Sequence, residues 1–395
     1  VKILLITSSY LPILGGLQEA VYQLAQEFKR QGHDVSILAN RYPRRLKSLE
    51  MMDGLFVKRM LFTGFYLPSF NSYVVLKYIA GLLISCVNSF RLAFLLKKTM
   101  PDVVNIHFLG SQAPYATLAS RLLGVRCVIS LHGDDVEGVP RRSRVDNWLF
   151  KKVLLGADYV TACSNYLLSE AKEIVPEVEG KSTAIWNGIR PEKYKNIEPY
   201  IHPRPYIFAA GRFVYKKGFD ILFRAYRSLL ADGERIDLIL AGEGPEREKL
   251  TDLARRLGLS FAVREQDKGV AGGRRPPIEG VYFWGRAERN EMKSLMKGCK
   301  LLVVPSRKEP FGIVALEALS AGKRVVATRV GGLTEIVQDG ITGYFVEAES
   351  AEDLARGIKT ALSDELKDVQ MDLNRFSWKE ASSQYLNIFR KVKKN

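Results

Sequence analysis

Residues 301–322 read LLVVPSRKEPFGIVALEALSAG, and the fold follows from how this string divides. Leu301–Val304 is an apolar, β-branched run, the pattern of a strand buried on both faces. A polar loop covers 306–310. The spacing then predicts a helix that starts near Gly312 and stops at Gly322, a residue type that commonly stands just past a last helical turn. Strand, polar loop and helix N-terminus together make an anion site, because the first turn leaves backbone N–H groups unpaired and its dipole favours negative charge. Two carboxylates frame that site. Glu309 lies in the loop, and Glu317 lies one turn beyond Ile313, about 6 Å further along the helix axis. A diphosphate at the helix end would put one neighbouring group beside Glu309 and the other beside Glu317, where the acids can accept hydrogen bonds from sugar hydroxyls. Taken singly, an acid near a helix start is ordinarily a dipole partner or solvated surface.

Outward from this stretch, strands alternate with helical patterns, which implies parallel α/β layers. Strands are expected at 2–8, 35–39, 103–106, 125–131, 159–162, Tyr206–Ala210, 236–241, Val281–Gly285 and 324–327. After the first strand a loop ends in Gly15-Gly16, and a helix is expected over 17–31. There is no G-x-G-x-x-G and no G-K-[ST], so neither a dinucleotide fingerprint nor a Walker A loop fits. The strand 125–131 runs into His132-Gly133-Asp134-Asp135 at the edge where such sheets bind ligands. His107 also ends a strand. After Tyr206–Ala210 comes GRFVYKKG, residues 211–218, which offers a phosphate the planar fork of Arg212 and the point charge of Lys217. Gly242-Glu243-Gly244-Pro245 and Gly331-Gly332 are further glycine turns at strand ends.

The string E-x7-E with PFG after the first Glu resembles the signature of the retaining glycosyltransferase family 4, and the resemblance covers nearly the whole chain. GR-x4-KG resembles that family's diphosphate-binding motif, LHGDD its HG[DN] loop, and Gly15-Gly16 its N-terminal glycine loop. The resemblance implies a GT-B fold: two Rossmann-like α/β domains facing across a central cleft. It implies an acceptor-side domain over 1–189, a nucleotide-sugar donor domain over 190–375, and a terminal helix, 376–395, that crosses back onto the first. It implies transfer of a hexose from a nucleotide diphosphate sugar to an acceptor hydroxyl of a glycan, lipid or small molecule, with retention at the anomeric carbon. In that scheme Arg212 and Lys217 neutralise the departing diphosphate, and Glu309 and His132 orient the sugar. Glu317 holds the ribose, and backbone N–H groups of Phe311, Gly312, Ile313 and Val314 meet sugar and phosphates. Gly15 and Gly16 face the diphosphate and acceptor. No metal is expected, because two cations and a helix N-terminus can replace the ion. One departure is plain: Arg190 stands where the family usually has Asp after Asn187-Gly188.

At 395 residues the chain is long enough for two domains with real cores, and 47% hydrophobic with 10% aromatic content excludes a disordered chain. The net charge of +16, from 59 basic and 43 acidic residues, points to an anionic partner: a nucleotide sugar, an anionic lipid surface or nucleic acid. Cys86, Cys127, Cys163 and Cys299 form no C-x-x-C pair, so a reducing cytoplasm is expected. The opening strand is too short to be the apolar region of a signal peptide. The apolar segment 72–97 is interrupted by Lys77, Asn88 and Arg91, so it is expected as a buried helix or as an interfacial one beside anionic lipid, not as a membrane span. Residues 190–205 read as a linker, and 265–277 as an insertion. Two rival functions stay open: a nucleotide-sugar 2-epimerase of the same fold, and a basic nucleic-acid-binding or regulatory protein. The second lacks any basic stripe interleaved with aromatics.

Overall fold

The computed structural model describes residues 1–13, 15–62, 72–264, 280–364 and 372–394; the 265–277 insertion lies outside them. The chain divides into two compact units, one of Val1–Gly188 with Phe376–Asn395, the other of Ile189–Arg375.

The first unit is an eight-stranded sheet. Its strands are β1 (Lys2–Thr7), β2 (Asp34–Asn40), β3 (Leu49–Met52), β4 (Leu55–Met60), β5 (Val103–His107), β6 (Arg126–Leu131), β7 (Tyr159–Ala162) and β8 (Ser182–Ala184). They lie in the order β3-β4-β2-β1-β5-β6-β7-β8, all parallel except the β3–β4 hairpin at the edge. The inner strands are apolar at nearly every position because helices cover both faces: β5 is buried along its whole length, and β1 at all but its first residue. From β1 the chain builds first toward β2 and then returns to add β5 on the other side. The carboxyl ends of β1 and β5 therefore flank a topological switch point, the place where such sheets bind ligands.

The helix Gly16–Arg30 buries Ala20, Val21, Leu24, Ala25 and Phe28, a stripe at helical spacing. Against it packs the terminal helix Trp378–Lys394. Phe28 meets Tyr385 and Phe389 with ring centroids 6.3 and 5.8 Å apart, Gln31 Nε2 donates to Ser382 Oγ at 2.7 Å, and Lys393 pairs with Asp102 at 2.6 Å. The Tyr385 hydroxyl reaches into the sheet, 3.1 Å from Ser130 Oγ and 3.2 Å from Thr161 Oγ1.

The second unit is a seven-stranded parallel sheet. Its strands are β9 (Tyr206–Ala210), β10 (Asp237–Ala241), β11 (Phe261–Val263), β12 (Val281–Gly285), β13 (Leu301–Val304), β14 (Arg324–Thr328) and β15 (Gly343–Val346), in the order β11-β12-β10-β9-β13-β14-β15. Its switch point lies between β9 and β13. Residues 190–205, expected as a linker, are instead bound into this unit: Tyr200 N–H donates to the Ser294 carbonyl at 2.9 Å, and His202 Nε2 lies 2.6 Å from the buried Asp237 carboxylate. The rings of Tyr200, His202, Tyr206, Tyr282 and Trp284 pack edge to face. Within this stretch Tyr194 is buried and His202 and Arg204 pair with the buried Asp237, while Pro199, Pro203 and Pro205 are exposed.

Candidate active site

In the second unit the motif-bearing loops all emerge at the carboxyl edge of β10, β9, β13 and β14, which are neighbours in the sheet. Backbone contact locks them together. Phe213 N–H donates to the Glu243 carbonyl at 2.8 Å, and Gly211 N–H to the Ala241 carbonyl at 3.0 Å, so the GRFVYKKG loop runs along the G-x-G-P turn. Gly218 has a left-handed φ of 66°, and a Cβ there would overlap the Pro305 carbonyl oxygen. Only glycine lets this loop lie on the end of β13. Gly332 N–H donates to the Glu309 carbonyl at 2.9 Å, and a Cβ on Gly332 would stand 2.5 Å from Phe311 Cα. The Gly331-Gly332 turn therefore rests on the EPFG loop.

This stitching brings Lys217 and Glu309 together, though they are far apart in sequence. Lys217 Nζ lies 2.5 Å from Glu309 Oε2, and Ser306 Oγ donates to the same oxygen at 3.1 Å. Only 8% of the Glu309 side chain and 19% of the Lys217 side chain is exposed. Arg212 is exposed and has no ion-pair partner among the described residues. The helix Ile313–Ser320 begins after Gly312, whose φ of 102° is left-handed and which supplies no side-chain cap. Its first-turn N–H groups, beginning with Ile313 and Val314, are thus left for a ligand. Phe311 turns inward and is buried, while Glu317 is half-buried on the next turn. The second unit so gathers Arg212, Lys217, Glu309, Phe311, Gly312, Ile313, Val314 and Glu317 on one sheet edge.

Arg307 carried no expectation, yet it is the bracket of this edge. Its guanidinium forks onto Asp220 at 2.7 and 2.8 Å, meets Glu349 at 2.5 and 3.0 Å, and donates to the Tyr215 carbonyl at 2.8 Å. It also stands 3.9 Å over the Tyr215 ring, and its own N–H donates to the Lys216 carbonyl at 2.8 Å. Donating these hydrogen bonds to Asp220, and then to Glu349, raises its pKa still further. Nothing in the string PSRKE signals this, since the partners come from a helix start and a distant turn.

Gly15, Gly16 and His132 belong to the first unit, at the carboxyl edge of its sheet. Gly15 precedes the helix Gly16–Arg30 with extended backbone and no side-chain cap, and both glycines are exposed. His132 follows β6. The Asp135 carboxylate holds its loop by accepting from the N–H groups of Gly133 at 2.7 Å, His132 at 3.1 Å and Leu109 at 3.3 Å. Asp135 is fully buried while Asp134 is exposed, so this acidic pair does not converge on one point. Burial raises the Asp135 pKa to about 6 and lowers that of His132 to about 4.

His107 proves to be the partner of His132. Its Nδ1 lies 3.0 Å from His132 Nε2, and its own Nε2 is buried with no hydrogen-bond partner. One ring must donate. An orphaned buried N–H is rarer than an orphaned acceptor, so we assign the proton to His107 Nδ1. His132 then accepts at Nε2 and carries its own proton on Nδ1, which makes it a neutral hydrogen-bond donor. Burial, and secondarily the neighbouring imidazole, holds the pKa of His107 well below its ordinary value. The strand-end position of His107 was visible in sequence, but the pairing was not.

The comparisons with known proteins bear on the whole chain. The family model described as Glycosyltransferase Family 4 matches residues 14–193, and that described as Glycosyl transferases group 1 matches residues 204–364. The chain belongs to glycosyltransferase family 4. It is a glycosyltransferase with the GT-B fold. An uncharacterized glycosyltransferase of Methanocaldococcus jannaschii is 27% identical to it over 98% of both chains. Glycogen synthase of Mycobacterium tuberculosis is 27% identical over 92% of this chain and 86% of that one. Among solved structures, sucrose-phosphate synthase from Thermosynechococcus elongatus superposes with a TM-score of 0.74 at 19% identity, covering 99% of both chains. Anabaena HepE in complex with UDP-glucose does so with a TM-score of 0.64 at 18% identity, covering 100% of this chain and 99% of that one. The last two likenesses concern the fold. The placement of this glycosyltransferase in its family leaves the nucleic-acid-binding rival without support.

Proposed function

We propose that this glycosyltransferase moves a hexose from a nucleotide diphosphate sugar, with UDP or GDP as the nucleotide, to an acceptor hydroxyl, retaining the anomeric configuration. The donor sits on the second unit. The observation that carries this reading is the contact between Lys217 and Glu309 beside the uncapped start of the helix Ile313–Ser320. Cation, carboxylate and helix N-terminus there form a site that is anionic-ligand-binding on one side and hydroxyl-accepting on the other. The complex of Anabaena HepE with UDP-glucose supports the same donor class.

In this reading Arg212, Lys217 and the N–H groups of Ile313 and Val314 stabilise charge developing on the departing diphosphate, the place where fixed dipoles and cations accelerate transfer most. Glu317 accepts from the ribose, and Glu309 from the sugar. A neutral His132 donates to the sugar from Nδ1. The reaction needs no divalent metal, since those cations take its role. A 2-epimerase would use the same donor site but no acceptor, and the HG[DN] loop and GR-x4-KG favour transfer. The protein works in the cytoplasm, in keeping with four unpaired cysteines, and makes peripheral contact with anionic membrane.

The test is calorimetry of the free nucleotide diphosphate together with turnover. Glu317→Ala is expected to weaken nucleotide binding, and Glu309→Ala to lower turnover chiefly. Equal loss of nucleotide affinity in both would overturn the assignment of Glu309 to the sugar. Activity abolished by EDTA and restored by Mg²⁺ would overturn the metal-free mechanism, and an inverted product anomer by proton NMR would overturn retention.

A further inference from the structure

The first unit carries an apolar surface that the transfer chemistry does not use. The helix Ser72–Thr99 buries Asn88, Leu92, Leu95 and Leu96. A helix with one face in a core ordinarily turns a polar face to water. This one turns out Ile84, Val87, Phe90 and Phe94, with Phe90 76% and Phe94 70% exposed. The next helix, Ala113–Leu122, packs against it and exposes Leu118 and Leu122 one turn apart. A third, Arg144–Leu155, packs on the second and exposes Trp148 and Leu155 along one stripe. Arg121 and Leu155 line one indentation between the latter two helices, so the exposed faces are continuous.

Charge on this surface is predominantly positive, and the one carboxylate lining the indentation, Asp158, is engaged by Arg126 at 3.0 Å and by the Cys127 N–H at 2.7 Å. The exposed charged residues within these stripes are Arg91, Lys97 and Lys98 on the first helix, Arg121 on the second, and Lys151 and Lys152 on the third. The segments 84–100 and 111–125 contain no acidic residue at all, and on the third helix the one acid, Asp146, is engaged by Ser143 at the helix start, off the Trp148–Leu155 stripe. Exposed aromatic and aliphatic side chains among cations, on helices lying side by side, match a surface that is apolar within and anionic at its boundary. A second copy of the chain would bring cations against cations, which is unfavourable. Among the described residues no helix is long and apolar enough to cross a membrane, so the surface would lie on a bilayer and not in it.

We infer that this three-helix face docks the protein on an anionic lipid bilayer, with Phe90, Phe94 and Leu122 entering the interface and Lys97, Lys98 and Arg121 meeting the headgroups. This rests on the proposed membrane contact above and names the face that makes it.

The experiment is flotation of the full chain with phosphatidylcholine vesicles, with and without phosphatidylglycerol, across a salt series. The chain is expected to float with the anionic vesicles only. Phe90→Ser with Phe94→Ser is expected to lower the partition coefficient by about tenfold or more, from the apolar area withdrawn. Lys97→Glu with Lys98→Glu is expected to lower it by at least about tenfold and to flatten the salt dependence. As the control, Lys249→Glu with Arg255→Glu makes the same change in net charge on an exposed helix of the second unit and should float like the wild type. Equal loss in both charge variants would show that net charge, not this face, drives binding, and would overturn the inference. So would equal flotation with neutral vesicles, or a concentration-dependent dimer in light scattering that Phe90→Ser with Phe94→Ser dissolves. Nucleotide calorimetry on the same variants separates the two readings. A serine variant that stops floating but still binds nucleotide supports the face. A chain that binds nucleotide but never floats overturns the face alone, and one that floats without binding nucleotide overturns the donor reading alone.

Discussion

Replacing Lys217 by methionine removes the ammonium and keeps most of the stem. Glu309 would then hold a carboxylate that is 8% exposed, with only the Ser306 hydroxyl at 3.1 Å to satisfy it. Breaking a fully buried ion pair from one side costs about 3–5 kcal/mol. Because the lysine side chain is 19% exposed, water can reach part of the gap, and we expect a loss of about 2–3 kcal/mol. Glu309→Gln leaves an amide oxygen for Lys217 and is expected to cost about 1–2 kcal/mol. If the two groups truly share one contact, the double variant should lose less than the sum, with a coupling of about 1–2 kcal/mol. Amide exchange of β13, the strand beneath the loop, reads the second unit alone and avoids treating a two-unit chain as one transition. Calorimetry with a nucleotide diphosphate gives the functional half. Loss of a charged hydrogen bond to phosphate should weaken binding by about ten- to hundredfold in Lys217→Met. Two results would refute the reasoning: single-variant costs that simply add, or nucleotide affinity unchanged in Lys217→Met.

Gly218→Ala should destabilise the second unit by about 2–4 kcal/mol, from the left-handed backbone and the overlap with the Pro305 carbonyl; a wild-type melting temperature would contradict the loop contact. His107→Phe should lower turnover while leaving nucleotide affinity in the second unit unchanged, and imidazole nitrogen NMR should show His132 losing its single Nδ1–H tautomer. The pH dependence of the first unit follows from opposed groups, the imidazoles of His107 and His132 on one side and Asp135 on the other. His132, lowered by burial to about 4 from 6.5, contributes stability that is complete above pH 6.5 and is lost as pH falls toward 4. Asp135, raised by burial to about 6 from 3.8, contributes in the other direction, gaining as pH falls through 6. Asp135→Asn removes the compensating gain, so urea unfolding between pH 6.5 and 4 should show a steeper acid loss than in the wild type.

Which parts of this molecule were legible in sequence follows from how far apart the interacting residues lie. The strands Tyr206–Ala210, Val281–Gly285 and Leu301–Val304 stand where their apolar runs place them, since a strand buried on both faces is a local pattern. The helix at 313–320 starts and stops between Gly312 and Gly322 for the same reason. Neighbouring strands of three or four residues, such as β8, β11 and β15, are too short to show a period, and the β3–β4 hairpin alternates exposed and buried residues weakly at a sheet edge. At the site, GR-x4-KG and E-x7-E are continuous strings and could be read. Arg307 with Asp220 and Glu349, and His107 with His132, are pairings made by the sheet's order, and no spacing in the chain encodes them.

The three cations on the donor edge are in different states, and this bears on how a nucleotide sugar would be received. Arg307 is consumed by Asp220, Glu349 and the Tyr215 carbonyl, so it holds the loops and has little left to offer a ligand. Arg212 is exposed and available. Lys217 is committed to Glu309. A diphosphate arriving at the start of the helix Ile313–Ser320 would compete with Glu309 for that ammonium. If it succeeds, the Glu309 carboxylate is released beside the bound phosphate, where a sugar hydroxyl can replace the ammonium as its donor. Binding the whole nucleotide sugar is then an exchange in which the carboxylate finds a new partner. Binding the bare nucleotide diphosphate leaves it without one, at the cost of an unpaired buried charge. A sugar-bearing nucleotide should therefore bind more tightly than its bare diphosphate in the wild type, and Glu309→Gln should narrow that difference by strengthening the bare nucleotide. Calorimetry of both ligands against both proteins measures this directly, and an unchanged ratio would mean that Lys217 stays on Glu309 throughout.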